Sequence, residues 1–375
     1  MVRISKNAKR AFTKNPDVEK AVSEIKEQLG ASNDFKLIFF FASIVFPPDK
    51  ISKEMTKAFP GVPCIGCTTC GELITGKTLV RSVVAIALDS TIVKNVGIEL
   101  IKDVYNIFDT DKAFNTLRKK FCADCVDNNP ENYVGIILSN GLCDQEEKII
   151  SRLNELTEVF FVGGTAADAW RLKETYIYMN GEYYTKSAIL LLVEPTIGYK
   201  AVKTQNFKPL GKVVRVTDAD ESIRCIKTID NIPAAEFYAK QIGKPISEIR
   251  KHFINYSIGI MVYGEAYVHD IRYADENNHL YMYSAVPKGA EMQVLESTSI
   301  MKGMIEFRKR EIMVLASVSA LLHFCCASRF NKIQLEEEGK DFRQIFEGLP
   351  SIGFATYGEF FNSFVNQTSV ILIFF

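Results

Sequence analysis

The sequence has no excess of charge of either sign. Its 45 Lys and Arg residues balance its 45 Asp and Glu residues, so the formal net charge at pH 7 is zero. Electrostatic binding to nucleic acids or to anionic membranes depends on a basic excess. We therefore expect no nucleic-acid partner.

Histidine is scarce, and common catalytic motifs are missing. Only four histidines occur, and the sequence contains neither a His-x-x-His pair nor the Gly-x-Ser-x-Gly turn that presents a catalytic serine. We expect that the protein is not an enzyme and that it uses no cofactor. One alternative stays open, because Cys143 follows an apolar strand and the segment Ser139–Leu142, where a cysteine nucleophile could lie. A thiol packed beside a turn is the preferred interpretation of Cys143.

The sequence shows no sign of export or membrane insertion. The segment Met1–Arg10 is basic, but no apolar stretch follows it, so we expect no secretory signal. Ile312–Ser328 lacks charged residues, yet it is short for a bilayer span and contains serines and a histidine. It is interpreted as a buried strand with a preceding loop. The nine cysteines lie mostly in apolar runs, which favours reduced thiols and a cytoplasmic location.

Apolar runs alternate with amphipathic segments along the chain. Leu37–Phe46 is rich in aromatic and branched residues, which is typical of a buried strand, and Asp49 is predicted to cap a helix through Phe59. We therefore predict an α/β or α+β fold with mixed sheets and flanking helices. The other predicted strands include Val83–Leu88, Val134–Leu138, Val159–Val162, Ala188–Val193, Ile258–Val262 and Ser369–Phe375, and the other predicted helices are Asp17–Leu29, Asp144–Leu156 (with an Asp-x-x-Glu start) and Pro233–Ile242.

No Gly/Ser-rich or Pro-rich linker divides the chain. The best candidate for a join is Asp218–Ile232, where a charged stretch is followed by Asn-Ile-Pro. We predict an N-terminal region over residues 31–225, a C-terminal region over residues 226–375 and an N-terminal helical extension over residues 1–30.

One turn motif is repeated. Gly66–Glu72 (GCTTCGE) and Gly353–Glu359 (GFATYGE) share the pattern Gly-x-x-Thr-x-Gly-Glu, and Gly259–Glu265 keeps only Gly-x4-Gly-Glu. A glycine before a carboxylate at the end of a strand allows a sharp turn that can direct the carboxylate into a ligand site. Two nearly full copies at opposite ends of the chain predict two related halves packed together, with a ligand pocket between them.

The cysteines of the first copy have the spacing of metal ligands, which would need a fourth ligand. The second copy has Phe354 and Tyr357 at matching positions, and these residues cannot hold a metal. Small buried thiols are therefore preferred, and metal binding stays as an alternative. Cys-x-x-Cys spacing occurs at Cys64, Cys67 and Cys70, and again at Cys122 and Cys125.

The ordered set of motifs resembles the FIST family (F-box and intracellular signal transduction proteins). The resemblance lies in five segments from near the N-terminal end of the chain to its C-terminal end. These are Gly66–Leu73, Gly163–Asp168, Phe324–Arg329, Gly353–Glu359 and Asn366–Thr368.

The resemblance implies a sensory module of intracellular signal transduction that binds small ligands, with amino acids proposed. Relatives often accompany output modules, whereas here the FIST-like region fills the chain. We therefore expect signalling through a separate output protein. The alternatives are a Cys-dependent enzyme on a small substrate and a metal-binding protein.

Several residues are candidates for ligand contact. Gly163–Asp168 follows an apolar run, so its backbone N–H groups could bind an anion and Asp168 a ligand amine, or Asp168 could cap a helix. Arg329 could clamp a carboxylate or pair internally with Glu359 or Glu72, and the internal pairing is preferred. The full predicted set is Thr69, Gly71, Glu72, Gly163, Gly164, Thr165, Asp168, Arg329, Thr356, Tyr357, Gly358, Glu359 and Asn366.

Overall fold

A computed structural model describes residues 3–4, 8–335 and 339–375, and these form two compact units. The first unit comprises Met1–Lys203, Met304–Ser363 and Ser369–Phe375, and the second comprises Thr204–Gly303 and Phe364–Thr368. The predicted extension over residues 1–30 falls in part on residues 1–2 and 5–7, which lie outside the described residues.

The first unit begins with a short strand and one complete run of alternating strands and helices. The segment predicted as a helical extension contains a helix, but it also contains a strand that pairs with the sheet that follows. The elements are β1 (Arg3–Ile4), β2 (Lys9–Thr13), α1 (Val18–Leu29), β3 (Phe35–Ser43), α2 (Pro48–Ala58), β4 (Cys64–Thr69), β5 (Glu72–Ile74), β6 (Lys77–Leu79) and β7 (Val83–Asp89).

A second run repeats this order with one additional short helix. A 3₁₀ turn over Pro130–Asn132 precedes its central strand. The elements are β8 (Val93–Ile101), α3 (Ile107–Lys120), α4 (Ala123–Asn128), β9 (Val134–Ser139), α5 (Glu146–Leu156), β10 (Phe160–Thr165), β11 (Ile177–Met179), β12 (Glu182–Tyr184) and β13 (Ala188–Pro195).

A third run starts with β14 (Tyr199–Thr204) and is interrupted in the chain by the second unit. The elements of the second unit are β15 (Phe207–Pro209), β16 (Val214–Asp220), β17 (Cys225–Ile229), β18 (Ile232–Pro233), α6 (Ala234–Ile242), β19 (Tyr256–Val262), β20 (Glu265–His269), β21 (Ile271–Ala274), β22 (Leu280–Met282) and β23 (Glu291–Ser297). Its strands form a largely antiparallel sheet with the order β20-β19-β23-β16-β17-β22-β21, while β15 pairs with β23 and β18 with β17.

The third run then resumes and ends the chain. In the segment Ile312–Ser328, predicted as a buried strand with a preceding loop, the strand Ala320–Cys326 is fully buried, while Met313 and Val314 before it are exposed. The elements are α7 (Ile300–Phe307), β24 (Ser317–Val318), β25 (Ala320–Cys326), α8 (Ala327–Leu335), α9 (Gly339–Phe346), β26 (Ser351–Thr356), β27 (Glu359–Phe361), β28 (Phe364–Val365) and β29 (Ser369–Phe374), with a π-helical turn over Arg308–Ile312. Of these, β28 and the first residues of α7 belong to the second unit.

Each run builds a sheet around one parallel pair of strands. The pairs β3–β4, β9–β10 and β25–β26 are parallel, because in each a helix connects the two strands, as a parallel pair requires. An antiparallel strand then follows on the other side, namely β7, β13 or β29. The predicted mixed sheets with flanking helices are therefore confirmed, and the related segments number three in the described chain.

The three runs exchange strands in a ring. The short strand β5 of the first run pairs with β26 of the third, β11 of the second pairs with β4 of the first, and β27 of the third pairs with β10 of the second. No run completes its sheet alone, so the first unit is one cooperative structure rather than a chain of independent repeats.

Local details differ from the sequence interpretation at three places. Asp49 lies in the first turn of α2 and Pro47 is the N-cap, so the predicted Asp49 cap does not form. The helix predicted from Asp144 begins two residues later, at Glu146, with Gln145 as its N-cap. Gly259–Glu265 spans an antiparallel hairpin with positive φ at Tyr263 and Gly264, so it is an ordinary hairpin turn.

No helix in the described part of the chain has the length and apolar character needed to cross a membrane.

The first glycine of the repeated motif is required by the close approach of the parallel strands. A Cβ atom at Gly353 would lie 2.0 Å from the His323 carbonyl oxygen, and one at Gly66 would lie 1.7 Å from the Phe40 carbonyl oxygen. Backbone atoms of a central strand cannot move aside cheaply, so only glycine fits at either position.

We predict that Gly353→Ala lowers the free energy of unfolding by roughly 3 kcal/mol or more, because the β25–β26 pair must separate. The matched control is Gly211→Ala, where the nearest atom to the added carbon is a side-chain oxygen of Gln241 at 3.3 Å. Urea unfolding of both variants measures the difference. Equal midpoints for the two variants would contradict the close approach.

Candidate functional site

Three equivalent turns end the second strands of the three parallel pairs. Each begins with a threonine, Thr69, Thr165 or Thr356, that is the last residue of its strand. Three residues later comes an acidic side chain with no exposed surface. These acids are Glu72, Asp168 and Glu359. The segment Gly163–Asp168 is thus the third copy of the turn, one residue shorter, with Gly-x-Thr in place of Gly-x-x-Thr and Ala-Ala-Asp in place of x-Gly-Glu.

Hydrogen bonds join the three turns to one another. Cys70 N–H donates to the Ala355 carbonyl oxygen (3.0 Å), and Ala355 N–H donates to the Gly71 carbonyl oxygen (2.8 Å). Ala167 N–H donates to the Thr68 carbonyl oxygen (2.9 Å). Motifs separated by almost 300 residues in sequence therefore meet in the first unit.

The turn after β10 is bonded to the turn after β26 through a threonine hydroxyl. Thr165 N–H donates to Thr356 Oγ1 (2.7 Å) and to the Gly358 carbonyl oxygen (2.9 Å). Gly163 and Gly164 lie in β10, which is paired with β9 on one side and β27 on the other. The sheet and the neighbouring turn therefore already use the backbone of this segment, including its Thr165 N–H.

Glu72 is enclosed by hydroxyl groups. Thr69 and Ser82 hydroxyls donate to its two carboxylate oxygens, and Ser82 N–H donates to Oε2 at 3.2 Å. Burial raises the pKa of Glu72 to about 7, against the opposing effect of these hydrogen bonds. The second glycine of the motif, Gly71, makes room for its neighbours, because a Cβ there would lie 2.4 Å from the Phe330 ring.

Arg329 is buried in the first turn of α8, and Glu359 begins β27. Burial raises the pKa of Cys325 to about 12, while the Arg329 charge lowers it and the Glu359 charge raises it. Burial and the Arg329 charge together lower the pKa of His323 to about 3. Arg329 and Glu359 thus act on the same buried thiol, and His323 is neutral at physiological pH.

Asp168 organises an exposed loop. Its carboxylate accepts hydrogen bonds from the N–H groups of Leu172 (2.9 Å), Lys173 (2.7 Å) and Glu174 (3.1 Å), and from the Tyr357 hydroxyl (2.5 Å). A ring of backbone N–H groups of this kind is an anion site, and here the chain's own carboxylate fills it. In this structure Asp168 neither caps a helix nor exposes its oxygens.

The residues of this loop form an aromatic surface that the sequence interpretation did not include. Trp170 N–H donates to the Tyr357 hydroxyl (2.9 Å), and the two rings lie 5.7 Å apart between centroids. Cys70 is half-buried beside them, and hydrogen bonds from Tyr357 and from the N–H groups of Trp170 and Ala169 partly offset the burial that raises its pKa to about 11. Trp170 is 43% exposed.

The backbone of the loop is strained. Ala169, Trp170 and Leu172 have φ values of 55°, 65° and 51°, which non-glycine residues rarely adopt. Such strain persists where surrounding contacts fix it, and it clusters at ligand sites and switches. The sequence signal for this surface was the one tryptophan of the chain, two residues after Asp168.

Asn366 belongs to the second unit. Its side-chain oxygen accepts a hydrogen bond from Asp270 N–H (3.4 Å), and its neighbour Gln367 donates to Asp270 Oδ2 (2.7 Å). Burial raises the pKa of Asp270 to about 7. The other predicted site residues all lie in the first unit.

The cysteine alternatives gain no geometric support. Cys64 and Cys67 are fully buried, and three residues apart on one strand they point to opposite faces of β4. No group of three or more metal-binding side chains occurs within the described residues. Burial raises the pKa of Cys143 to about 11, and its thiol contacts Asn140 Oδ1 at 3.3 Å, so at neutral pH it is a protonated, weakly nucleophilic thiol.

These features define a class of protein: a mixed α/β module of three strand-exchanged runs whose equivalent turns meet in one cluster. Family models agree with the architecture, since the FIST N domain matches residues 36–232 and the FIST C domain matches residues 234–362. The chain belongs to the FIST family, whose domains are associated with signal transduction.

The chain is also similar to MJ1623, an uncharacterised protein of Methanocaldococcus jannaschii. The two are 24% identical over 242 residues, which cover 61% of this chain and 45% of the relative. The match thus spans less than half the length of MJ1623, and that protein has no assigned activity from which a function could be transferred.

We predict that Glu72→Gln changes the pH dependence of stability. A folded-state pKa of about 7, above the ordinary value of 4.5, means that this group's stabilisation is full below about pH 4.5 and is lost as the pH rises through 7. The amide resembles the neutral acid, so the variant gains stability relative to the native chain between pH 5 and pH 8, by an amount on the order of 3 kcal/mol. Urea unfolding at the two pH values measures this gain, and a constant difference would refute the raised pKa.

We predict that Asp168→Ala opens the loop that this carboxylate organises. Three N–H groups and the Tyr357 hydroxyl lose their acceptor, so the loop should become accessible to trypsin at Arg171 and Lys173, which are exposed. Cleavage there should become at least about tenfold faster, because local opening then costs less free energy. Asp127→Ala, which removes a surface partner of Arg118, is the control and should leave cleavage of this loop unchanged.

Proposed function

We propose that this chain is a cytoplasmic sensor that binds a small ligand, an amino acid or a similar metabolite, and signals through a separate output protein. The observation that carries the proposal is the surface formed by Cys70, Trp170 and Tyr357, where two of the three convergent turns meet an exposed, strained loop. Membership in a family of signalling domains supports the sensory role.

The surface has the chemistry that an amino acid requires. Trp170 and Tyr357 offer aromatic faces for an apolar side chain or for the ammonium group of the ligand. Arg171, Lys173 and Glu174 are exposed on the same loop, so cationic and anionic groups lie near one another. A zwitterionic ligand is complementary to this combination, because its carboxylate and its ammonium group each find an opposite charge.

The other predicted site residues would then hold this surface in place through the turns and the strand that they form. Thr69, Gly71 and Glu72 form one turn and Thr356, Gly358 and Glu359 the other, while Gly163, Gly164 and Thr165 form the strand between them. Arg329 supplies the buried positive charge of this support. We propose that ligand contact falls on Tyr357 and on the loop after Asp168, and that Asn366 acts separately in the second unit.

The signal would arise from a choice between two loop arrangements. A ligand carboxylate can compete with Asp168 for the N–H groups of Leu172, Lys173 and Glu174. The released Asp168 is then available to the ligand ammonium group. A ligand that binds one arrangement more tightly shifts the population toward it, and the altered loop is the surface that an output protein would recognise.

We predict that the fluorescence of Trp170 reports ligand binding. Because this is the one tryptophan in the sequence, its emission should change saturably when free amino acids and related metabolites are titrated, and the same compound should raise the unfolding temperature. Tyr357→Phe removes the hydroxyl that contacts Trp170 and Asp168, so we expect affinity to fall about tenfold or more.

Tyr263→Phe is the matched control, since Tyr263 is a fully exposed residue of the second unit. A ligand that raises the unfolding temperature equally in the native chain, Tyr357→Phe and Trp170→Phe would place the binding site elsewhere. A complete lack of binding across the library would instead contradict the sensory proposal.

A further inference from the structure

Cys122 and Cys125 lie outside the site described above. They stand at the corner between α3 and α4, both are exposed, and their sulfur atoms are 2.7 Å apart. This separation is well within contact distance for two sulfur atoms. The pair therefore needs only a small movement to form a covalent bond.

The local backbone holds the two thiols on one turn. Cys125 N–H and Val126 N–H donate to the Cys122 carbonyl oxygen at 3.0 and 3.2 Å. Arg118, near the end of α3, forms a two-fold hydrogen-bonded ion pair with Asp127 in α4, including Nε to Oδ1 at 2.7 Å. This ion pair joins α3 to α4, and its two residues flank the cysteines in sequence.

This pair differs from the other cysteines of the chain. Cys64, Cys67, Cys143, Cys225, Cys325 and Cys326 are buried and Cys70 is half-buried, so their thiols contribute to packing. Cys122 and Cys125 are exposed, and Cys122 has a positive φ of 70° that a non-glycine residue adopts at a cost. Core packing therefore does not account for either residue.

We propose that Cys122 and Cys125 are a redox-active dithiol that forms an intramolecular disulfide by exchange with small disulfides of the glutathione class. The Cys122 thiolate attacks one sulfur of the small disulfide, whose S–S bond breaks and releases one thiol. The Cys125 thiolate then attacks the Cys122 sulfur and releases the second thiol. The two cysteines lose two protons and two electrons, and the small disulfide is reduced to two thiols.

The electrostatics of the pair favour this order of attack. Hydrogen bonding from the Cys125 thiol, the largest effect, lowers the pKa of Cys122, whereas the same contact raises the pKa of Cys125. The negative charge of Asp124 opposes ionisation of both thiols. Cys122 is thus the better nucleophile at neutral pH, and Cys125 resolves the mixed disulfide.

The experiment incubates the full chain with oxidised and reduced glutathione in defined ratios, quenches with acid, alkylates free thiols and maps the products by mass spectrometry. We expect one disulfide, between Cys122 and Cys125, with the other cysteines alkylated only after unfolding. In Cys125→Ser the mixed disulfide of Cys122 with glutathione should persist at least about tenfold longer than in the native chain, because the resolving thiol is gone.

Cys225→Ser, which removes a buried thiol of the second unit, is the control and should leave disulfide formation unchanged. Because both exposed cysteines lie outside the core, thermal unfolding of Cys122→Ser and Cys125→Ser should match that of the native chain. Stable glutathione adducts on both cysteines of the native chain, a disulfide from either to another cysteine, or no reaction with oxidised glutathione would each overturn the proposal.

Discussion

Burial of three carboxyl groups is the constraint on which the rest of the first unit depends. A buried charge is costly unless hydrogen bonds or opposite charges compensate for it. Glu72 is hydrogen-bonded by the hydroxyls of Thr69 and Ser82, and the pKa that burial raises favours its neutral form, whereas Asp168 is stabilised by three backbone N–H groups and Tyr357. Each solution requires a turn of defined shape, and the ring-like exchange of short strands brings those turns into contact.

The sequence predicted the local parts of this arrangement well. The buried strands and the helices α1 and α6 follow from apolar periodicity, which depends on neighbouring residues alone. The Gly-x-x-Thr-x-Gly-Glu motif could be found because the same contact, a parallel strand passing within 2.0 Å of the absent Cβ, recurs at Gly66 and Gly353. Both copies therefore contain the glycine, and both end in the acid.

The parts that could not be predicted depend on distant residues. The third turn could not be recognised from the motif, because Ala-Ala-Asp replaces x-Gly-Glu. Gly259–Glu265 resembled a third copy instead, although it is a hairpin turn. The exchange of β5, β11 and β27 pairs strands that lie about 110 to 280 positions apart, and no local pattern encodes such partners. The FIST resemblance, confirmed by the family models, supplied the family but neither the aromatic surface nor the loop around Asp168.

The substitution of aspartate for glutamate in the third turn also explains why this turn, of the three, carries an exposed loop. In the other two turns the glutamate begins the short strand directly, as at β5 and β27. Asp168 instead is followed by eight residues before β11, and its shorter side chain is satisfied by the N–H groups of that extra segment. Two of the acids are therefore enclosed in the core, while the third holds a strained surface loop by hydrogen bonds, which under the proposed function a ligand carboxylate would replace. On that proposal, a fold with three equivalent positions keeps two of them closed and uses one for recognition.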